Sequence, residues 1–310
     1  MPLRNPINLN NYYEARDLDS LKTLAVPTVR IQNQSQNYRS CMMLSTHNVK
    51  HLSKIPSLNA EALILNLEDG VSVQQKPYAL VLCAIALASY PQVEQKLIVR
   101  VNALEEGGIE EICYLNPFMP DAIRIPKIRT ITDVERALEL IDDSIELHLS
   151  IETKEAWLAL GTFAIHPRIK AYYLGVLDLF ADLGLSQALF TPDNPTAHYL
   201  LSHFLITARA CGVKPVSFVY QDYKNNEGLR NWLELEKKIG FDTKGCISPN
   251  QVELIHEIFG YSMGEIERAR EIVRLFEENA SHGITGFVDE RYGFIDEPIY
   301  KGALGIIPKL

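Results

Sequence analysis

An α/β fold, a (β/α)8 TIM barrel with an N-terminal arm and a C-terminal helical extension or lid, is predicted by three features of this 310-residue sequence. Eight short apolar, β-rich runs recur near 41–45, 62–67, 97–101, 122–126, 147–151, 171–176, 215–220 and 245–248. Helical patterns follow them at about 47–56, 72–90, 105–115, 130–143, 153–165, 196–211, 224–239 and 249–259, a rhythm of parallel βα units. No GxGxxG follows the first run, which weighs against the main competitor, a doubly wound open sheet. The domains implied are an arm at 1–37, a barrel at 38–260, and a helix and lid segment at 261–310.

Taken in order, residues 1–37 are rich in Asn, Gln and Pro and read as an extended lead-in without core elements. His47 and His51 form an i, i+4 pair on the first helix, read as a surface face. The second run ends in Glu68-Asp69, and the third, LIVRV, carries Arg100. Lys127 follows the fourth run; a structural ion pair is favoured there over a Schiff base. The runs LHLSI and AYYLGV lead into Glu152 and Asp178, with an amphipathic helical pattern between them, which makes a right-handed βαβ unit. Asp182 and Gly184 read as cap or turn residues. Ser248-Pro249-Asn250-Gln251 supplies an N-cap, a Pro at the first helical position and a capping-box Gln. A charged helix at about 263–282 and an irregular tail rich in aromatics and acids complete the chain.

Composition narrows the function. With 47% hydrophobic and 22% charged residues the chain is an ordinary globular one. A net charge of −9 argues against nucleic acid or an acidic membrane surface as partner. A small anionic substrate stays possible, given a local cation or metal. The five cysteines have no ligand spacing and fit buried thiols in a reducing compartment, and a cytoplasmic location is expected. No zinc spacing, GxSxG or P-loop is present, and the longest apolar run is too short for a bilayer.

The chemistry rests on four charged features at the C-terminal ends of different predicted strands: Glu68-Asp69, Arg100, Glu152 and Asp178. Barrel enzymes draw their catalytic groups from several strand ends at that face. Glu152 and Asp178 are hard oxygen ligands on rigid elements and suit Mg2+; the rival reading makes them helix caps, and the convergence favours the metal. Arg100 is either a buried cation paired with Glu68 or Asp69, or a donor aimed at a carboxylate or enolate oxygen. The two are compatible.

KIPSLNAEALILNLEDGV (54–71), VRVN (99–102), RIPKI (124–128), SIET (150–153), LGVLDLFADLG (174–184), VYQDYKNNEGL (219–229), GFDTKGCISPNQ (240–251) and GFIDEP (293–298) follow one another along the chain. The set resembles the HpcH/HpaI aldolase/citrate lyase family, in its citrate lyase beta-subunit-like branch. The resemblance implies a barrel, often trimeric, whose Mg2+ is held by Glu152 and Asp178. It implies that Arg100 contacts the oxo-acid or enolate oxygen, with Glu68 in the active-site network; Arg100, Glu68 and the adjacent Asp69 are the substrate-binding candidates. Asp296 of the tail would reach over a neighbouring subunit's site as acid/base. The reaction implied is carbon–carbon cleavage or formation on a hydroxy-acyl-CoA such as malyl-CoA or citramalyl-CoA, through a stabilised enolate. The alternatives are an aldolase on free 2-oxo acids, and a catalytically silent barrel that binds a small acid or regulates a partner. This chain departs from the family pattern at Asn66, Arg129, Leu177, Ser217 and Ser248, and has Ser45-Thr46-His47-Asn48 in place of a CoA-binding loop. Those positions bear on the acyl group.

Overall fold

Strands buried on both faces explain the near-continuous apolar runs. They are β1 (Ser40–Ser45), β2 (Ala62–Asn66), β3 (Lys96–Arg100), β4 (Ala122–Ile125), β5 (Glu146–Ile151), β6 (Ile169–Leu174), β7 (Lys214–Val216) and β8 (Lys244–Cys246). The computed structural model describes Leu3 and residues 6–307. All eight pair in parallel, in the order β7-β6-β5-β4-β3-β2-β1-β8. An isolated bridge between Ser217 and Lys244 joins β7 to β8 and completes the barrel. The predicted strand at 215–220 thus shortens to Lys214–Val216 plus that bridge. Beyond it Phe218 turns into an aromatic cluster, its ring 4.8 Å from Phe190 and 4.9 Å from Trp232.

Side chains alternate across each strand, as the two-residue pleat requires. Cys41, Ala62, Ile64, Ile98, Ala122, Ala171, Tyr173 and Val216 form an inner cluster. Leu63, Leu65, Leu97, Val99, Ile123, Leu147, Leu149 and Tyr172 belong to a second, outer core shared with the helices.

The lead-in is more structured than its composition suggests. It forms α1 (Pro6–Glu14) and α2 (Leu18–Leu24), the second capped by Asp17, and buries Leu9 and Leu21 completely. The extended stretch that follows is tied down by Arg30, which pairs with Asp121 at 3.5 Å and donates to the Met119 carbonyl at 2.8 Å. Two leucines at helical positions outweigh a polar composition when they are packed.

The barrel helices are α3 (Val49–Ser53), α4 (Lys76–Ser89), α5 (Gly108–Leu115), α6 (Ile131–Leu140), α7 (Lys154–Leu158), α8 (Val176–Asp182), α9 (Pro195–Ala210), α10 (Asn226–Ile239) and α11 (Pro249–Phe259). The helix expected over 153–165 ends at Leu158 and gives way to a 3-10 turn at Leu160–Thr162. Gln251 accepts from the Ile247 N–H at 2.9 Å and donates to the Tyr220 carbonyl at 2.9 Å, so it ties two loops together.

The chain divides into two compact units, Met1–Phe259 and Gly260–Leu310. The second holds α12 (Met263–Ser281), the hairpin β9 (Gly286–Asp289) and β10 (Gly293–Asp296), and α13 (Glu297–Ile306). A Ser262–Glu265 capping box starts α12. Ala269, Ile272, Phe276, Ile295 and Ala303 form this unit's own small core. Cys41, Cys83 and Cys246 are buried, but Cys113 is exposed and Cys211 partly so, which corrects the reading of all five as buried. No described helix is long and apolar enough to cross a membrane.

Candidate active site

The turn after β2 is built by its own side chains. Asn66 Nδ2 donates to the Asp69 carbonyl at 2.6 Å, and the Asp69 N–H donates to Glu68 Oε2 at 2.7 Å. Gly70 supplies the positive φ (+86°) that closes the turn. Asn66 therefore positions Glu68 and Asp69 without adding charge.

Arg100 ends β3 beside them. Its Nη2 lies 2.5 Å from Glu68 Oε2, 3.5 Å from Asp69 Oδ2 and 3.9 Å from Glu152 Oε2. The buried guanidinium and Glu68 partner each other, as buried charges must. Burial raises the pKa of Glu68, with Arg100 pulling against it. Lys127 Nζ sits 3.6 Å from Glu68 Oε1. Burial pulls the lysine down, but Glu68, Asp69, Glu106 and Glu152 together hold it above its ordinary value. It stays an ammonium ion, so the ion-pair reading fits and a Schiff-base role does not.

Glu152 follows β5 and is 2% exposed. Its Oε1 accepts the Lys127 N–H at 2.7 Å, which leaves Oε2 as the freer oxygen. Gly175 packs against it: a Cβ at that position would lie 2.5 Å from both Glu152 Cβ and Oε2. Gly175→Ala is therefore expected to push Glu152 aside, cost about 1–3 kcal/mol of stability and lower any turnover at least roughly tenfold. Urea unfolding together with steady-state rates checks this, and an unchanged rate would show that Glu152 is not needed where it stands.

Asp178 lies in the first turn of α8, exposed, and among the described residues no N–H caps onto it. Capping in this region falls to Asp182, whose Oδ2 accepts the Lys154 N–H of α7 at 2.7 Å.

Asp69, Arg100, Glu152 and Asp178 all line one cavity of about 330 Å³, together with Met43, Arg124, Gly175, Leu177, Val219 and Gln221. A larger hollow, about 470 Å³, lies between Asn33, Tyr38, Glu61 and Lys96. Two of its charges are already neutralised, Lys96 by Glu146 at 2.8 Å and Glu61 by Arg39 at 2.5 Å, and the third, Glu94, is exposed to solvent. The smaller cavity is the one that gathers several carboxylates and two guanidiniums.

Its donors fit a hard cation: carboxylates of Glu152 and Asp178, with Asp69 nearby. Among the described residues no His, Cys, Asp or Glu cluster forms a ready-made cage of three or more ligands. A two-carboxylate site completed by water and substrate is the arrangement Mg2+ commonly takes. Asp296 lies in the second unit, at the end of β10, where it caps α13 by accepting the Ile299 N–H at 3.2 Å.

Arg124 was passed over in the sequence except as part of RIPKI. The signal was present: it interrupts an apolar strand as Arg100 does, and the two are register partners on β3 and β4. Register partners on parallel strands share a face, so both guanidiniums lie inside the barrel. Burial and the neighbouring Arg100 bring Arg124 down to about 10, and it remains a cation at neutral pH. Gly175 was likewise invisible, because only the fold brings it against Glu152. Of the departures from the family pattern, Arg129 pairs with Glu155 at 2.7 Å, and Ser217 donates to buried Glu236 at 2.5 Å.

An eight-stranded parallel barrel with acids and arginines gathered at its C-terminal strand ends has the build of a TIM-barrel enzyme. The chain belongs to the HpcH/HpaI aldolase/citrate lyase family, whose model matches residues 39–249. It is 33% identical over 252 residues to a (3S)-malyl-CoA thioesterase of Cereibacter sphaeroides, covering 81% of this chain and 87% of that one. It is 25% identical over 294 residues to the mitochondrial citramalyl-CoA lyase of Rattus norvegicus, covering 87% and 85%. The barrel also matches the crystal structure of CitE from Mycobacterium tuberculosis in complex with magnesium, acetoacetate and coenzyme A. That match has a TM-score of 0.68 at 22% identity, over 88% of this chain and 98% of the other.

Proposed function

We propose that this chain is a Mg2+-dependent carbon–carbon lyase that cleaves or forms a hydroxy-acyl-CoA such as malyl-CoA or citramalyl-CoA. The observation that carries it is the meeting of Glu152, Asp178, Arg100 and Asp69 around one cavity at the C-terminal ends of four strands. Glu152 and Asp178 would hold the metal, which when bound polarises the substrate's hydroxyl and carboxylate oxygens. Arg100, locked by Glu68, offers fixed donors to the oxygen on which negative charge gathers as the bond breaks. Asn66 keeps the Glu68–Asp69 turn in place beneath it. Asp296 enters the proposal through its GFIDEP motif, as the acid/base delivered by a neighbouring copy in an oligomer.

A second reading has support in the 33% identity to a malyl-CoA thioesterase: hydrolysis of the thioester rather than cleavage of the carbon chain. One assay separates these readings and the aldolase alternative. Malyl-CoA, citramalyl-CoA and free 4-hydroxy-2-oxo acids are each offered with Mg2+ or with EDTA. The lyase releases acetyl-CoA and a 2-oxo acid only with Mg2+; a thioesterase releases free CoA thiol; an aldolase acts on the free acids. Release of free thiol without any 2-oxo acid would overturn the lyase reading.

A further inference from the structure

Two guanidiniums line the cavity, and they are held differently. Arg100 is tied to Glu68. Arg124 is 6% exposed, yet among the described residues no carboxylate stands within ion-pair distance of it. Its Nε donates to Ser150 Oγ at 2.8 Å, and its guanidinium lies 4.1 Å above the Tyr173 ring. That ring is itself anchored, with Tyr173 Oη 3.2 Å from His148 Nδ1. Nε and one face are thus occupied, and the side chain borders the cavity. A buried cation without an acid is costly, and the cost is offset when an anion arrives. The cavity's charge agrees. Asp69, Glu152 and Asp178 outnumber the two arginines, but a bound divalent cation reverses the balance and leaves the lining net positive.

We propose that Arg124 is a specificity-determining residue that binds a second carboxylate on the acid half of the substrate, so that the site favours 2-oxo dicarboxylates over 2-oxo monocarboxylates. A planar fork of two N–H donors matches a carboxylate better than a point charge does. Arg124 is the register partner of Arg100, one strand over. The two can therefore take different ends of one small diacid, with Arg100 and the metal at the oxo-acid end. This rests on the carbon–carbon lyase reading above and shifts its substrate: malyl-CoA and citramalyl-CoA yield the monocarboxylates glyoxylate and pyruvate, so the hydroxy-acyl-CoA favoured here is one whose acid half is a 2-oxo dicarboxylate.

The test is calorimetric titration of the full chain, loaded with Mg2+, with oxaloacetate and with pyruvate. The wild type is expected to bind oxaloacetate more tightly. Arg124→Met should weaken oxaloacetate on the order of 10–100-fold and pyruvate by less than about threefold. Arg124→Lys, which keeps the charge but loses the fork, should fall between. A wild type with no preference, or equal weakening of both acids, overturns the inference. Binding of neither acid by a protein that still releases acetyl-CoA and a 2-oxo acid from a hydroxy-acyl-CoA overturns it while leaving the lyase reading intact; no binding and no carbon–carbon cleavage removes both. Melting temperature reports whether Arg124→Met folds. If it does not, Arg124→Lys must still show a loss confined to oxaloacetate, or the inference fails.

Discussion

Asp178→Ala abolishes Mg2+ binding and lowers turnover by at least about 10³-fold, while the melting temperature stays within a degree or two of wild type. Both halves of that expectation come from its position. The side chain is exposed in the first turn of α8 and caps nothing among the described residues, so its removal leaves no orphaned group. It also lines the cavity with Glu152, so its loss takes away one of two carboxylates proposed to hold the cation. Asp296→Ala is the matching control. It removes a helix N-cap, for about 1 kcal/mol, and should remove turnover with metal affinity intact. Titration of Mg2+ against both variants, alongside rates on the thioester panel, separates them. If Asp178→Ala binds Mg2+ as the wild type does, the metal lies elsewhere.

Lys244→Met destabilises the protein by about 3–5 kcal/mol, a large share of the stability of a typical domain. Lys244 and Glu236 are both fully buried, their Nζ and Oε1 2.7 Å apart, at the seam where one isolated bridge joins β7 to β8. Ser217 donates to the same Glu236 oxygen, and Phe218 lies under the ammonium at 3.6 Å. Removing the lysine leaves buried Glu236 with the Ser217 hydroxyl and no cation among its partners in the described residues. Burial already pushes Glu236 above its ordinary value of 4.5, with Lys244 pulling it back. In the variant that pull is gone and native Glu236 keeps its proton longer than the unfolded chain does. The stability of the variant relative to wild type is therefore greatest at pH values below 4.5 and declines as pH rises through the folded value. Urea titrations at pH 5 and pH 8 check both magnitude and sign. The double variant Lys244→Met/Glu236→Leu should recover most of the loss, since neither partner is then stranded. A single-variant loss below about 1 kcal/mol would mean that water reaches the seam.

The barrel was legible from the chain because parallel strands buried on both faces leave long apolar runs, and because each run is followed by a helical pattern. Glu68, Asp69, Arg100, Glu152 and Asp178 were legible for a related reason: each is a charge where such a run ends or is interrupted. The same rule applied to Arg124 would have added it. Composition misled at the arm, where Leu9 and Leu21 make core helices out of a polar segment. It misled at β7 as well, whose apolar run continues into an aromatic cluster rather than a longer strand.

By itself, then, the sequence determined the eightfold βα order, the edge at which the charges gather and the chemical type of the groups there. All of these depend on local periodicity and on residue identity. The tertiary structure alone decided which charges are already neutralised and which face the cavity. Glu68 holds Arg100, Glu236 holds Lys244, Asp182 accepts the first N–H of α7, and among the described residues Arg124 has no acid within ion-pair distance. Charge pairing depends on distances between residues far apart in the chain, and one-dimensional spacing carries no record of them.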